Sequence, residues 1–95
     1  MLFLCAVFTT SALAQRTVTG IVNDDLGESL PGVNVMVVGT TQGSITDLDG
    51  NFSIVVPGDE SVLRFSYVGM ETQDVTVGTQ SVINITMATL SIGMD

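Results

Sequence analysis

The sequence GSITDLDGNFSIVVP, residues 43–57, carries the strongest fold signal in the chain. Its Asp49-Gly50 pair is typical of a tight turn, because glycine adopts a positive φ without strain and aspartate tolerates it better than most residues. After the turn the residues alternate, with one apolar face that we expect to be buried: Phe52, Ile54 and Val56. Pro57 then ends the strand, since proline has no N–H to donate to a neighbouring strand. The segment therefore predicts one β-hairpin.

The other apolar segments also alternate with a period of two. They predict strands at residues 17–23, 33–38, 61–67, 71–77 and 82–87, in addition to the two arms of the hairpin. No segment has a helical period, and turn signals separate the strands. The sequence thus predicts an all-β fold, a seven-stranded antiparallel Greek-key β-sandwich. Six apolar side chains from these strands are predicted to share the core: Val35, Phe52, Ile54, Leu63, Phe65 and Ile85.

Residues 1–14 differ in character from the rest of the chain. They are mostly apolar and end in ALA at 12–14, the small-x-small pattern of a signal peptidase site, so they predict a signal peptide cleaved before Gln15. No lysine or arginine precedes the apolar run, so the basic n-region is missing. A buried N-terminal strand or helix and a lipoprotein modified at Cys5 are the alternatives. The run is too short to span a bilayer, which takes about 20 apolar residues.

Composition excludes several classes of site. The chain has 95 residues, enough for one small domain, and a formal net charge of −8, which argues against binding to nucleic acid or to an anionic membrane surface. It has no histidine, and its one cysteine lies in the predicted signal peptide. The mature domain is therefore predicted to have no disulfide, no Cys/His zinc site and no histidine-based triad. We expect no enzymatic activity, no cofactor and no direct membrane insertion.

Asp47, Asp49 and Gly50 resemble the start of a calcium-binding loop. The spacing fails, because the glycine stands fourth rather than sixth and Gly58 stands twelfth, where a glutamate is needed. We interpret the three residues as a structural turn in which aspartate side chains accept hydrogen bonds from nearby backbone N–H groups. Under this interpretation no metal binds here, and calcium does not stabilise the protein.

The remaining charged residues are also interpreted as solvated. The carboxylate pairs Asp24-Asp25 and Asp59-Glu60 lie in predicted turns, where no pocket shifts a pKa as a catalytic pair requires. Arg64 is the one cation predicted within a strand. It either points outward and pairs with a surface carboxylate or holds a carboxylate of a partner.

Five motifs carry a resemblance to a known family. They are TGIV at 19–22, GESLPGVNV at 27–35, GTTQG at 39–43, TDLDGNFSI at 46–54 and LRFSYVGME at 63–71. In this order they resemble the carboxypeptidase-D regulatory-like domain, and in particular the copy at the N-terminus of SusC/RagA-type TonB-dependent outer-membrane transporters of Bacteroidetes. The resemblance implies a transthyretin-like (prealbumin-like) sandwich exposed to the periplasm, and membership of a system that imports glycans or peptides.

The resemblance also sets domain limits and shows two departures. It implies a domain at 15–87, followed by a C-terminal tail or the start of a linker at 88–95. Met70 stands where the family usually has an aromatic residue. The family continues into a TonB box, a plug and a long barrel, for which 95 residues are too few. We therefore expect either a fragment or truncated gene product, or a free-standing copy of the domain.

The predicted function is that of a non-catalytic periplasmic interaction domain. Its expected partner is a protein of the outer-membrane transport system, a plug and barrel or a periplasmic component, contacted through sheet faces or an exposed edge strand. One alternative is a stand-alone secreted adhesion or carbohydrate-binding β-sandwich, which an exposed row of aromatic residues would favour. Another is the regulatory domain of a peptidase, which would require a catalytic domain.

Overall fold

The computed structural model describes residues 15–90, which form seven strands and no helix. The strands are β1 Arg16–Asp24, β2 Asn34–Val37, β3 Gly43–Ile45, β4 Asn51–Val56, β5 Val62–Ser66, β6 Gln73–Thr76 and β7 Ile85–Met87. This part of the chain contains no helix long and apolar enough to cross a bilayer. The predicted signal peptide and the last five residues of the predicted tail lie outside the described residues.

The strands form two sheets, of three strands in the order β4-β1-β7 and of four strands in the order β3-β2-β5-β6. The predicted all-β sandwich of seven strands is confirmed. Four of the five strand pairs are antiparallel, but β1 and β7 are parallel, with Val22 opposite Ile85. Successive strands reverse direction, so the first and the seventh run the same way and can only meet in parallel. The Greek-key description stays a prediction.

The predicted hairpin at residues 43–57 is wrong in its pairing. β3 lies at the edge of the four-stranded sheet beside β2, whereas β4 lies at the edge of the three-stranded sheet beside β1. The turn between them closes with a bond from the Asp47 N–H to the Asn51 carbonyl, 2.9 Å, and the two arms then separate. Alternation shows which face of a strand is buried but not which strand is its partner. The turn therefore connects the two sheets.

The core lies between the inner faces of the two sheets. All six predicted core residues belong to one cluster of buried apolar side chains. Phe52 from the three-stranded sheet meets Phe65 from the four-stranded sheet edge to face, with ring centroids 5.3 Å apart and an interplanar angle of 74°. Such a geometry brings the positive edge of one ring to the negative face of the other. The contact between these two rings joins the two sheets.

The alternating strand directions gather the loops at two ends. The first loop end consists of the loops at 25–33, 46–50 and 67–72, which follow the odd-numbered strands. The second loop end consists of the loops at 38–42, 57–61 and 77–84, which follow the even-numbered strands. Every charged or apolar loop residue discussed below lies at one of these two ends.

Candidate interaction site

Asp47 and Gly50 shape the turn that connects the two sheets. A carboxylate oxygen of Asp47, Oδ1, accepts hydrogen bonds from the backbone N–H groups of Asp49 and Asn51, each at 2.9 Å. The Gly50 N–H donates to the Asp47 carbonyl at 2.9 Å, and Gly50 has a φ of 79°, which favours glycine. Asp49 itself is exposed. This is the geometry that the structural-turn interpretation requires.

Gly50 also fixes the turn against the first strand. Its carbonyl accepts the Val22 N–H at 2.8 Å. A Cβ at position 50 would lie 2.6 Å from the Val22 carbonyl oxygen and 3.2 Å from Cβ of Ser29, so a side chain has no room here. Among residues 15–90, no three His, Cys, Asp or Glu side chains are grouped so as to hold a metal ion. The roles of Asp47, Asp49 and Gly50, including the expected indifference to calcium, stay predictions.

Thr46 is a structural residue that sequence reasoning missed. Its side chain is 4% exposed, and its hydroxyl accepts the Val33 N–H at 2.9 Å and donates to the Leu30 carbonyl at 2.6 Å. Its backbone adds two bonds, to Gly32 and Val33, each at 3.0 Å. The loops at 25–33 and 46–50 are therefore joined through one buried threonine. A threonine beside a turn gives no sequence signal of this, because most such residues are exposed.

Arg64 points outward and pairs with a surface carboxylate, which is the first of its two predicted roles. Its Nε and Nη2 donate to the two carboxylate oxygens of Asp74, on the neighbouring strand, at 2.8 and 2.9 Å. The hydrogen bond from Arg64 holds the pKa of Asp74 below its ordinary value. A depressed pKa stabilises the folded state above the unfolded pKa, and this contribution disappears as the pH falls through the folded value. The guanidinium is therefore already occupied within the domain.

The two carboxylate pairs predicted in turns lie at strand ends and in loops, and Asp24 is the last residue of β1. Asp25, Asp59 and Glu60 are exposed. Asp24 Oδ1 accepts the N–H groups of Leu26 and Glu28, at 2.9 and 2.8 Å, and so holds its own loop. Asp59 and Glu60 line an open surface depression in the loop at 57–61, where both carboxylates are exposed.

A shallow groove of about 730 Å³ crosses the three-stranded sheet and reaches the edge strand β3. Its apolar lining comes largely from three partly exposed side chains, those of Ile21, Ile45 and Val82, which are 39, 63 and 59% exposed. Phe52, Gly20, small polar side chains and Asp47 form the rest of the lining. The groove combines partly exposed apolar side chains with polar ones, as protein contact surfaces do, and its polar lining consists of serine, threonine and asparagine side chains and Asp47.

Comparison with known proteins identifies the family of this chain. The model of the CarboxypepD_reg-like domain matches residues 18–95. The chain belongs to this family. Members are transthyretin-like sandwiches, in agreement with the two-sheet architecture.

The chain is similar to TonB-dependent receptors over nearly its whole length. It is 40% identical to TonB-dependent receptor P39 of Formosa agariphila over 88 residues, which cover 92% of this chain and 8% of that receptor. It is 39% identical to TonB-dependent receptor SusC of Bacteroides thetaiotaomicron over 82 residues, 84% of this chain and again 8% of the receptor. The chain thus spans less than a tenth of the length of these relatives.

A solved structure supports the fold alone. A chain from the crystal structure of a type II cohesin–X-dockerin complex of Acetivibrio cellulolyticus superposes with a TM-score of 0.63, covering 77% of this chain and 57% of that chain. The sequences are 22% identical. The shared feature is the β-sandwich.

Proposed function

We propose that the chain is a non-catalytic periplasmic interaction domain and that it acts as the N-terminal extension of a SusC/RagA-type TonB-dependent transporter for glycan or peptide uptake. The observation that carries the proposal is the identity of 40% with a TonB-dependent receptor over 92% of the chain. In this arrangement, residues 1–14 direct export, residues 15–87 form the domain and residues 88–95 begin the link to the rest of a receptor. The plug and barrel perform the transport.

The distribution of polar groups supports a contact role rather than a catalytic one. Both arginines, Arg16 and Arg64, are engaged in ion pairs within residues 15–90. The groove offers apolar and small polar side chains over an open surface, which suits a protein partner better than a reaction intermediate that must be shielded from water. The domain therefore acts by binding a protein of the outer-membrane transport system.

The stand-alone carbohydrate-binding alternative receives less support. Protein surfaces that bind sugars typically present exposed aromatic faces, whereas Phe52 and Phe65 are 4 and 0% exposed. Tyr67 is only partly buried, but it packs against the core cluster. No described aromatic ring is displayed in the row that this alternative requires.

The proposal is tested by producing the full chain with a C-terminal epitope tag in Bacteroides thetaiotaomicron. We expect the tag in the periplasmic or outer-membrane fraction, an intact mass that begins at Gln15, and co-purification with an outer-membrane receptor component after mild crosslinking. A Gln15→Pro variant, which blocks cleavage by signal peptidase, is the matched control and should retain residues 1–14. Recovery in the cytoplasm, or specific retention on a glycan array without a protein partner, would contradict the proposal.

A further inference from the structure

Three large apolar side chains are displayed at the first loop end. Leu26, Leu48 and Val68 are 84, 88 and 91% exposed and are the most exposed large apolar residues in the described part of the chain. Each lies in a different loop of the same end. A single exposed leucine is ordinary, but three such apolar side chains at one end of a small domain are more than chance exposure and are not used by the core.

Hydrogen bonds hold the three loops at the same end of the sandwich. The loops at 25–33 and 46–50 are connected through Thr46, and the Gly50 carbonyl binds the Val22 N–H. The loop at 67–72 is connected through the Glu71 N–H, which donates to the Ala88 carbonyl at 2.8 Å, just after Met87 pairs with Asp24 at the end of the first strand. The three tips are therefore held at the same end by the sheets themselves.

Each tip is also fixed locally by a tight turn. The turn at Leu26 is closed by a bond from the Gly27 N–H to the Asp24 carbonyl, and the turn at Leu48 by the corresponding bond from Gly50 to Asp47. The turn at Val68 is closed by a bond from the Met70 N–H to the Tyr67 carbonyl at 3.1 Å. Such tips lose little conformational entropy on binding, so they are preorganised for contact.

The charge around the tips is of one sign. Six carboxylates lie at the first loop end or directly beside it: Asp24, Asp25, Glu28, Asp47, Asp49 and Glu71. The described residues contain two arginines, and both are paired elsewhere, with Asp59 and with Asp74. Exposed apolar side chains with carboxylates beside them repel acidic proteins and anionic lipid, and they attract a surface with lysine or arginine around an apolar hollow.

We propose that the first loop end is the docking surface of the domain, and that its partner is a basic protein surface with an apolar hollow that receives Leu26, Leu48 and Val68. This inference rests on the proposed interaction role and adds which surface is used and what the partner presents. The carboxylates of Asp24 and Asp47 hold their turns, while Asp25, Glu28, Asp49 and Glu71 are exposed and provide the electrostatic attraction.

The test uses the purified full chain and a random twelve-residue peptide library displayed on phage. We expect the selected peptides to combine lysine or arginine with bulky apolar residues. A Leu26→Ser/Leu48→Ser/Val68→Thr variant should bind the synthesised peptides at least about tenfold more weakly, because it removes the central apolar contacts. The matched control, Met36→Thr/Val38→Thr, changes two exposed apolar side chains outside the first loop end and outside the groove, and it should bind as the wild type does.

A second variant tests the charge separately. Asp25→Asn/Glu28→Gln/Asp49→Asn/Glu71→Gln leaves the turn-holding aspartates in place, and it should bind more weakly and lose most of the salt dependence.

Melting curves confirm that each variant folds, and if the triple variant does not, Leu48→Ser alone takes its place. Failure to select peptides, selection of acidic peptides, equal binding by the triple variant, loss of binding in the Met36→Thr/Val38→Thr variant, or binding only to phosphatidylglycerol vesicles overturns the inference. None of these outcomes changes where the chain is located or whether it accompanies a receptor.

Discussion

At the second loop end Arg16 connects two loops, since its guanidinium donates to Asp59 in one and to the carbonyls of Gly78 and Gln80 in the other. The first loop end contains no cation, and two of its aspartates accept backbone N–H groups instead. Both arrangements order loops, but at the second loop end an arginine pairs with Asp59, whereas the first loop end has no cation to pair with its carboxylates. Two ends of the same small sandwich can therefore be equally well ordered and differ in what they attract.

Both loop ends are supported by the same hydrophobic core. Phe65→Ala removes a fully buried ring in contact with Phe52 and should lower the free energy of unfolding by about 3–5 kcal/mol, much of the stability of a domain of this size. Urea unfolding measures the loss. Met36→Ala, at a site 41% exposed, is the control and should cost far less. A Phe65 variant that unfolds at nearly the same urea concentration as the wild type would place the core elsewhere.

Two glycines, one at each loop end, allow the ends to be compared directly. Gly50, at the first end, and Gly78, at the second, have φ values of 79° and 60°, so alanine at either costs about 1–2 kcal/mol of left-handed strain. A Cβ at Gly78 meets nothing within 4 Å, whereas at Gly50 it meets the Val22 carbonyl. Overpacking should add about 1–3 kcal/mol at Gly50 alone. Thermal melts of the two variants compare them, and equal losses would mean that the turn at Gly50 is not packed against the first strand.

The buried threonine at the first end gives the next smaller effect. Thr46→Val keeps the shape but leaves the Val33 N–H and the Leu30 carbonyl without the hydroxyl, which should cost about 1–3 kcal/mol. Thr46→Ser retains the hydroxyl and should lose less. Chemical denaturation distinguishes the variants. A valine variant more stable than the serine variant would show that the hydroxyl does not join the loops.

The ion pair on the sheet face, between the ends, gives the smallest effect. Arg64→Met removes the hydrogen-bond donor, so the pKa of Asp74 should rise toward its ordinary value. In the wild type the pair stabilises the fold in neutral solution, and this stability is lost as the pH falls through the folded pKa of Asp74. The variant should lack this contribution at every pH. An NMR titration of the Asp74 carboxyl carbon measures the pKa, and urea unfolding at several pH values measures the stability. An unchanged titration would show that the pair does not persist in solution.

The sequence predicts local features of this fold well and non-local features poorly. Alternation identified the buried faces, including Phe52, Leu63 and Phe65, because side-chain direction depends only on neighbouring residues. It could not show that β3 and β4 belong to different sheets or that β1 and β7 are parallel, since these depend on contacts distant in sequence.

The same limit applies to the candidate surface. The residue types of Asp47 and Gly50 predict a turn, whereas the burial of Thr46 follows from the approach of another loop. Leu26 and Leu48 would ordinarily be assigned to a core, because leucine is among the most buried residue types. Only the strand directions show that both lie at one end with Val68.

Site-specific photocrosslinking tests most directly whether the first loop end is the one that binds. The full chain carries benzoylphenylalanine in place of Leu48 at the first end or in place of Thr79 at the second, both exposed. Crosslinks formed in cells are mapped on the partner by mass spectrometry. We expect crosslinks from position 48 to partner peptides rich in lysine and arginine, and few from position 79. Crosslinks from position 79 with none from position 48 would contradict the account.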